Sequence, residues 1–325
     1  MLSPALPADL KAALAERLHG FSRKEAAARA NIISQAYRCG GDSTTIRSRE
    51  DALSYALTRM PATYAAVTAC LNALTEQTPA LTPQSLIDIG AGPGTASFAA
   101  AQAFATLHAF TLIDANPALR QLGLELTGLH PRLASCHYSE GDGTDRIREC
   151  APSDIVIASF CIGEIAPAER AELAAAMWER TLAALIVIEP GTPKGHARIL
   201  ALRRQLIGSG AHVAAPCPHA LACPLIAPDW CHFSQRLPRS QAHRQIKGAE
   251  VPFEDEKFSY VVLTRSPIPR VRARVIAPPR IGKAAITARL CDAAGVHPAS
   301  VARRDREAYA TARHWRWGTA LREED

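Results

Sequence analysis

No stretch of about eighteen consecutive apolar residues occurs in the 325-residue chain, so the sequence offers no membrane-spanning helix. The opening residues, MLSPALPADLKAALAERLHG, mix charge with alanine and leucine and build no apolar signal-peptide core. Asp9 and Glu16 also run against the acid-poor composition of mitochondrial transit peptides. Internal repeats and low-complexity tracts are missing as well. What is expected is a soluble, cytoplasmic, globular chain, whose 48% hydrophobic content is ample for one large or two modest domains. Without a secretory signal, its nine cysteines should be reduced thiols or ligands and not disulfides.

Acidic residues are scarce in one region. Residues 265–316 hold twelve Lys or Arg against Asp292, Asp305 and Glu307, a net +9 in a chain that sums to +6, which leaves −3 for the rest. Concentrated positive charge attracts phosphate backbones through counterion release and favours a nucleic acid over a membrane surface as partner. A solvated basic face is the plain alternative.

Alanine-rich amphipathic stretches at 8–18, 23–37 and 62–76 predict an accessory helical domain over residues 1–80. Pro79 and Pro83 then admit a buried strand, SLIDIG, at 85–90. Further strands are expected at 109–114, about 133–138, 154–159, 184–189 and 258–264, with helices between several of them. That alternation predicts an α/β fold with a parallel, doubly wound sheet over 81–265. An insert at about 210–247 is too long for an ordinary connection. Residues 266–325 should form a small basic C-terminal module of proline-broken strands, with a helix near 299–316.

The motif Asp88-Ile-Gly90-Ala-Gly92-Pro-Gly94-Thr95 lies between the first strand and a helix, where backbone must approach a ligand closely. Its G-x-G-x-G spacing, with the third glycine one position earlier than in dinucleotide dehydrogenases, favours S-adenosylmethionine over NAD. Asp114 ends the second strand, twenty residues past Gly94, where an acid accepts hydrogen bonds from ribose hydroxyls. Asp142, in EGDGTD, is placed to reach an adenine amino group or simply to sit in a solvated turn. The stretch SFCIGE at 159–164 should line the acceptor side of the crevice. There Cys161 lacks the Pro-Cys context of cytosine C5 chemistry and is read as a packing residue. Glu164 and Glu189 are candidate polar groups, and no acid/base pair or catalytic residue stands out.

Cys217, Cys223 and Cys231 fall within fifteen residues, CPHALACPLIAPDWC, separated by five and then seven residues. Pro218 and Pro224 directly follow two of them and bias the segment toward an irregular loop in which thiols can converge on zinc or an iron–sulfur cluster. Such a site usually needs a fourth ligand. Cys291, inside the basic segment, is the choice for a cluster, and His219 or His232 could complete a zinc site instead. Cys39, Cys70, Cys136, Cys150 and Cys161 are scattered and read as packing residues.

These segments together resemble a known family, the methyltransferase-like assembly factors of the mitochondrial small ribosomal subunit, which have bacterial relatives. The resemblance spans most of the chain. It rests on SYALTRMPATYAAV at 54–67, LIDIGAGPGTAS at 86–97, IVIEPGTPKGH at 186–196, CPHALACPL at 217–225 and DWCHFSQRLPRS at 229–240. It continues in KGAEVPFEDEKFSYVVLTR at 247–265 and WRWG at 315–318. It implies a class I S-adenosylmethionine-dependent methyltransferase (Rossmann-like) fold. It also implies a 4Fe-4S cluster on Cys217, Cys223, Cys231 and Cys291, and association with the small ribosomal subunit and its rRNA; neither DNA nor a membrane is expected. The activity to expect is rRNA methylation or subunit assembly without catalysis. A small-molecule methyltransferase with a structural zinc site would explain the motifs but not the +9 segment. In the RNA-binding reading, Arg270, Arg272 and Arg274 are the arginines whose neutralisation should weaken binding.

Overall fold

The computed structural model describes residues 1–18 and 21–322. Helices α1 (Ala8–Glu16), α2 (Arg23–Arg38) and α3 (Arg49–Gln77) come first, with a 3-10 turn at Ser43–Thr45. A reciprocal cap starts α3: Ser48 Oγ accepts the Asp51 N–H at 3.1 Å, and Asp51 Oδ2 accepts the Ser48 N–H at 3.1 Å. The pattern at 62–76 reveals only the second half of this helix, which runs through Pro61. Leu53, Leu57, Met60, Tyr64, Val67, Leu71 and Leu74 make one buried stripe along it, and their burial offsets the hydrogen bond that Pro61 cannot donate.

Strands and helices then alternate: β1 (Ser85–Ile89), α4 (Thr95–Ala103), β2 (Ala109–Asp114), α5 (Pro117–Thr127), β3 (His137–Glu140), α6 (Gly143–Glu149), β4 (Ser153–Ser159), α7 (Arg170–Glu179), β5 (Thr181–Pro190) and α8 (Pro193–Gly208). After α8 come β6 (His212–Ala215), β7 (Phe233–Pro238), α9 (Gln241–Lys247) and β8 (Phe253–Thr264). Among the described residues eight strands form one sheet of order β3-β2-β1-β4-β5-β8-β6, with β7 on the other half of β8. Its core strands are apolar on both faces, as sheets covered by helices on both sides must be. Leu86, Leu112, Ile157 and Ile186 point into one cluster, and Ile87, Ile113, Val156 and Val187 into the other. Leu14, Ile33, Leu57 and Met60 join the first cluster, so the helices of residues 1–80 share the sheet's core.

Three expectations change. The sheet is parallel only through β5; β8 runs antiparallel to β5, β6 and β7. The insert supplies β6 and β7, and antiparallel strands do not need the helical crossover that a parallel pair does. The third strand begins at His137 and not near 133, because Leu133 and Cys136 close turns on His130 and Leu133. The helix expected at 299–316 is confined to α10 (Arg306–Ala312), since residues up to Ala302 pair as a strand.

A second sheet follows: β9 (Ala273–Val275), β10 (Arg280–Ile281), β11 (Ala285–Asp292), β12 (Gly295–Ala302) and, after α10, β13 (Ala320–Leu321). It carries an apolar cluster of its own, including Val275, Ile286, Leu290, Trp315 and Leu321. Replacing Ser48 by Ala should lower stability by about 1 kcal/mol, seen as a reduced urea midpoint at unchanged slope. An unchanged midpoint would mean that the α3 cap contributes nothing.

Candidate cofactor crevice and cysteine pocket

The glycine motif turns the chain from β1 into α4 at the carboxyl end of the sheet. Gly90, Gly92 and Gly94 have left-handed backbones, with φ of 62°, 54° and 81°, and a Cβ on Gly90 would lie 2.5 Å from Cys161 Cβ. Asp88 is fully buried beneath the turn. Its Oδ2 accepts the Ser97 N–H at 3.0 Å and the Ser97 hydroxyl at 2.8 Å, while Oδ1 has no protein partner. Burial pushes its carboxyl up to about 7. Asp114 Oδ2 accepts the Gly92 N–H at 2.6 Å, and Oδ1 accepts the Asn116 N–H at 2.7 Å. Asp114 is raised by the same desolvation. Asp142 is exposed and caps α6, accepting the Thr144 N–H at 2.7 Å.

On the acceptor side, Phe160 has a left-handed backbone (φ 59°) without being glycine, a conformation that concentrates at functional sites. Cys161 donates its S–H to Ile89 O at 3.4 Å, and burial pushes its thiol well up, so it is no ready nucleophile. Glu189 is fully buried and paired with Arg198. Glu164 Oε2 accepts the Ser43 N–H at 3.0 Å, with the Tyr37 hydroxyl also beside it. Asn116 Nδ2 donates to Ser43 O at 2.8 Å and to Ile46 O at 2.9 Å. Since Asn116 follows β2, Glu164 follows β4 and β1 lies between those strands, residues 43–46 bridge the sheet's carboxyl edge across the glycine turn. No sequence motif marks this bridge.

Cys217, Cys223, Cys231 and Cys291 line one pocket between α8, the insert loop and the second sheet. Burial raises Cys217 and Cys231 and pushes Cys291 up to about 12, so these are neutral thiols until a cation displaces their protons. Among the described residues no group of three or more His, Cys, Asp or Glu side chains stands ready to hold a metal ion. The four expected ligands thus share a pocket without forming a closed shell. His219 reaches it, Nε2 lying 3.9 Å from Cys291 Sγ. His232 instead stacks on Trp230 at 5.2 Å and meets the edge of Trp317 at 4.9 Å.

Two pocket residues were not expected there from the sequence, Arg203 and Arg274, only 4% and 2% exposed. Arg274 was expected on an RNA-binding face. It points inward instead, donating from Nε to Pro216 O at 2.7 Å and from Nη1 to Gly318 O at 2.9 Å, on a short strand whose three residues are all buried. Arg270 and Arg272 are exposed.

Five parallel strands in the order 3-2-1-4-5, an antiparallel strand beyond the fifth and a glycine turn after the first define a Rossmann-like α/β fold of the class I methyltransferase type. Residues 49–322 match the family model described as mitochondrial small ribosomal subunit Rsm22, and the chain belongs to that family. It is 30% identical over 299 residues to the mitochondrial ribosome assembly protein METTL17 of Homo sapiens. That match covers 83% of this chain and 62% of the human protein, so the chain spans less than two thirds of that relative. Similar solved structures include magnesium protoporphyrin IX methyltransferase from Synechocystis PCC 6803 with bound SAM (12% identity, 73% of this chain and 97% of that one, TM-score 0.42). Another is an O-methyltransferase family protein from Burkholderia thailandensis (13% identity, 67% and 60%, TM-score 0.43).

Gly90→Ala should lower the melting temperature, since its Cβ meets Cys161 and its φ is left-handed; an unchanged melting temperature would show that the turn tolerates a side chain. Asp88 gives a pH signature. Its folded-state pKa of about 7 lies above the ordinary 3.8, so the neutral form's contribution is complete at low pH and is lost as pH rises toward 7. Across that window the stability of Asp88→Asn should gain on the parent by roughly 4 kcal/mol at most, followed by melting temperature. A constant difference would mean that Asp88 titrates normally.

Proposed function

We propose that the chain binds S-adenosylmethionine and a 4Fe-4S cluster and acts on the small ribosomal subunit, methylating its RNA during assembly. The observation that carries this reading is that four cysteines from two separate regions line one pocket in a member of the Rsm22 family. An assembly role is what the human relative's name states of that protein.

The crevice fits an adenosyl cofactor. Left-handed glycines leave room at the N-terminus of α4, Asp88 Oδ1 is an unpaired buried acceptor, and Asp114 stands at the end of β2 for ribose hydroxyls. The bound sulfonium supplies an already activated methyl group, so this chain's task is to orient and desolvate the acceptor. Tyr37, Tyr55, Phe160 and Glu164 wall that side. Asp142 is available for the adenine edge. The pocket fits a metal centre through its four sulfurs and its two buried cations, with no carboxylate among the lining residues. Cys217, Cys223, Cys231 and Cys291 would hold the cluster, and zinc with His219 is the competing occupant. Arg270, Arg272, Arg280, Lys283, Arg303 and Arg304 are exposed on the basic segment for rRNA contact.

A scaffold that binds the subunit without methyl transfer is the second reading, favoured by the bridge of residues 43–46 over the crevice. Transfer of labelled methyl from S-adenosylmethionine to small subunits from a strain lacking the protein, with parental subunits as control, separates the two. Label on only the deletion-strain subunits is expected. No transfer, with cofactor and subunit binding both measured, would establish the scaffold. Anaerobically purified protein should be brown with about four irons per chain; colourless protein with stoichiometric zinc would replace the cluster by a zinc site. Arg270→Ala with Arg272→Ala should weaken RNA binding and lower its salt slope by about 2. An unchanged slope would remove these residues from the interface.

A further inference from the structure

The cysteine pocket contains an electrostatic imbalance. Arg203, from α8, and Arg274, from β9, bring two positive charges into it, both almost wholly buried, and no Asp or Glu lines it. Isolated buried charge is costly, and burial of this kind is found where an opposite charge compensates it. No carboxylate among the lining residues compensates them, and the four cysteines are the side chains that a bound cation would turn into thiolates.

Hydrogen bonding points the same way. Arg203 Nη2 donates to His219 O at 2.6 Å, and Arg274 Nε donates to Pro216 O at 2.7 Å. Those carbonyls flank Cys217 in the chain, and Arg274 lies opposite Cys291 in the β9–β11 pairing. Each guanidinium is therefore fixed by backbone beside a cysteine. Each also keeps a buried nitrogen with no partner, Nε of Arg203 and Nη2 of Arg274. Buried N–H groups are rarely left orphaned. Two from separate elements in one pocket indicate a missing acceptor there.

We propose that Arg203 and Arg274 are the counter-cations of the four-thiolate centre, donating their unpaired N–H groups to its sulfurs and setting its affinity and reduction potential. The inference rests on the four-cysteine reading above. Four thiolates around a core of two positive charges leave two negative charges, which two guanidiniums cancel. One-electron reduction adds a third negative charge, so the two arginines favour the reduced state. Charge and hydrogen bonds to sulfur are the levers by which a protein tunes such a centre.

The test compares the full chain with Arg203→Met, Arg274→Met and the charge-retaining Arg203→Lys and Arg274→Lys, reconstituted anaerobically with iron and sulfide. Iron and sulfide are counted, and midpoint potentials are measured by spectroelectrochemistry. Each Met variant should make reduction at least tenfold less favourable, a drop of about 59 mV for one electron, while each Lys variant recovers most of the shift. Iron-loaded Met variants with parental potentials would overturn the proposal. If the parent takes up stoichiometric zinc instead, the cluster reading fails, and chelator competition tests the arginines separately: a tenfold loss of zinc affinity in the Met variants supports their role, and unchanged affinity overturns it. Should Arg274→Met fail to fold by circular dichroism, Arg203→Met and the two Lys variants carry the same test. A parent that binds neither metal would overturn both readings.

Discussion

The ladder formed by β8 with its three neighbours is the constraint on which the rest of the molecule depends. Its second half pairs with β5, Val261 against Val187 and Tyr260 against Ile188, and its first half pairs with β7, Glu256 against Gln235. Strand β5 leads to the crevice edge at Glu189 and Gly191, and β7 emerges directly from the cysteine loop. One strand therefore sets the spacing between crevice and pocket. Ser259 locks this arrangement by donating its hydroxyl to Cys231 O at 2.8 Å, and Trp230 Nε1 donates to Gly191 O at 3.0 Å. A slip of one residue would exchange the faces of Val261 and Val262 and drive each into the wrong apolar cluster.

The second sheet completes the pocket that the first begins. Residues 216–232 contain no helix or strand, so their carbonyls need partners from elsewhere. Arg203 and Arg274 supply two of these from opposite sides, and Arg289 on β11 pairs with Asp229 at 2.6 Å. The same guanidiniums thus order the loop and charge the cavity it encloses.

The parallel half of the sheet was legible because buried parallel strands are near-continuous apolar runs, as in SLIDI and DIVIAS, and because the glycine turn needs left-handed backbone that few other residues supply. Strand β3 was placed several residues early because its partly exposed residues carry no apolar signature. Residues 299–302 fit helix or strand equally by composition, and only pairing with β11 decides for strand. The cysteine spacing announced the insert's three thiols. The arginines facing them were illegible, since Arg272 and Arg274 look alike in a basic stretch, and only the fold leaves Arg272 exposed just ahead of β9 while Arg274 sits buried within it. The bridge at Ser43 was equally hidden, because backbone groups make most of its contacts.

That bridge has a kinetic meaning. Any ligand seated beneath residues 43–46 is held behind the hydrogen bonds to Glu164 and Asn116, which must open together for exchange. Exchange of such a ligand is then coupled to separation of the α2–α3 connection from the ends of β2 and β4.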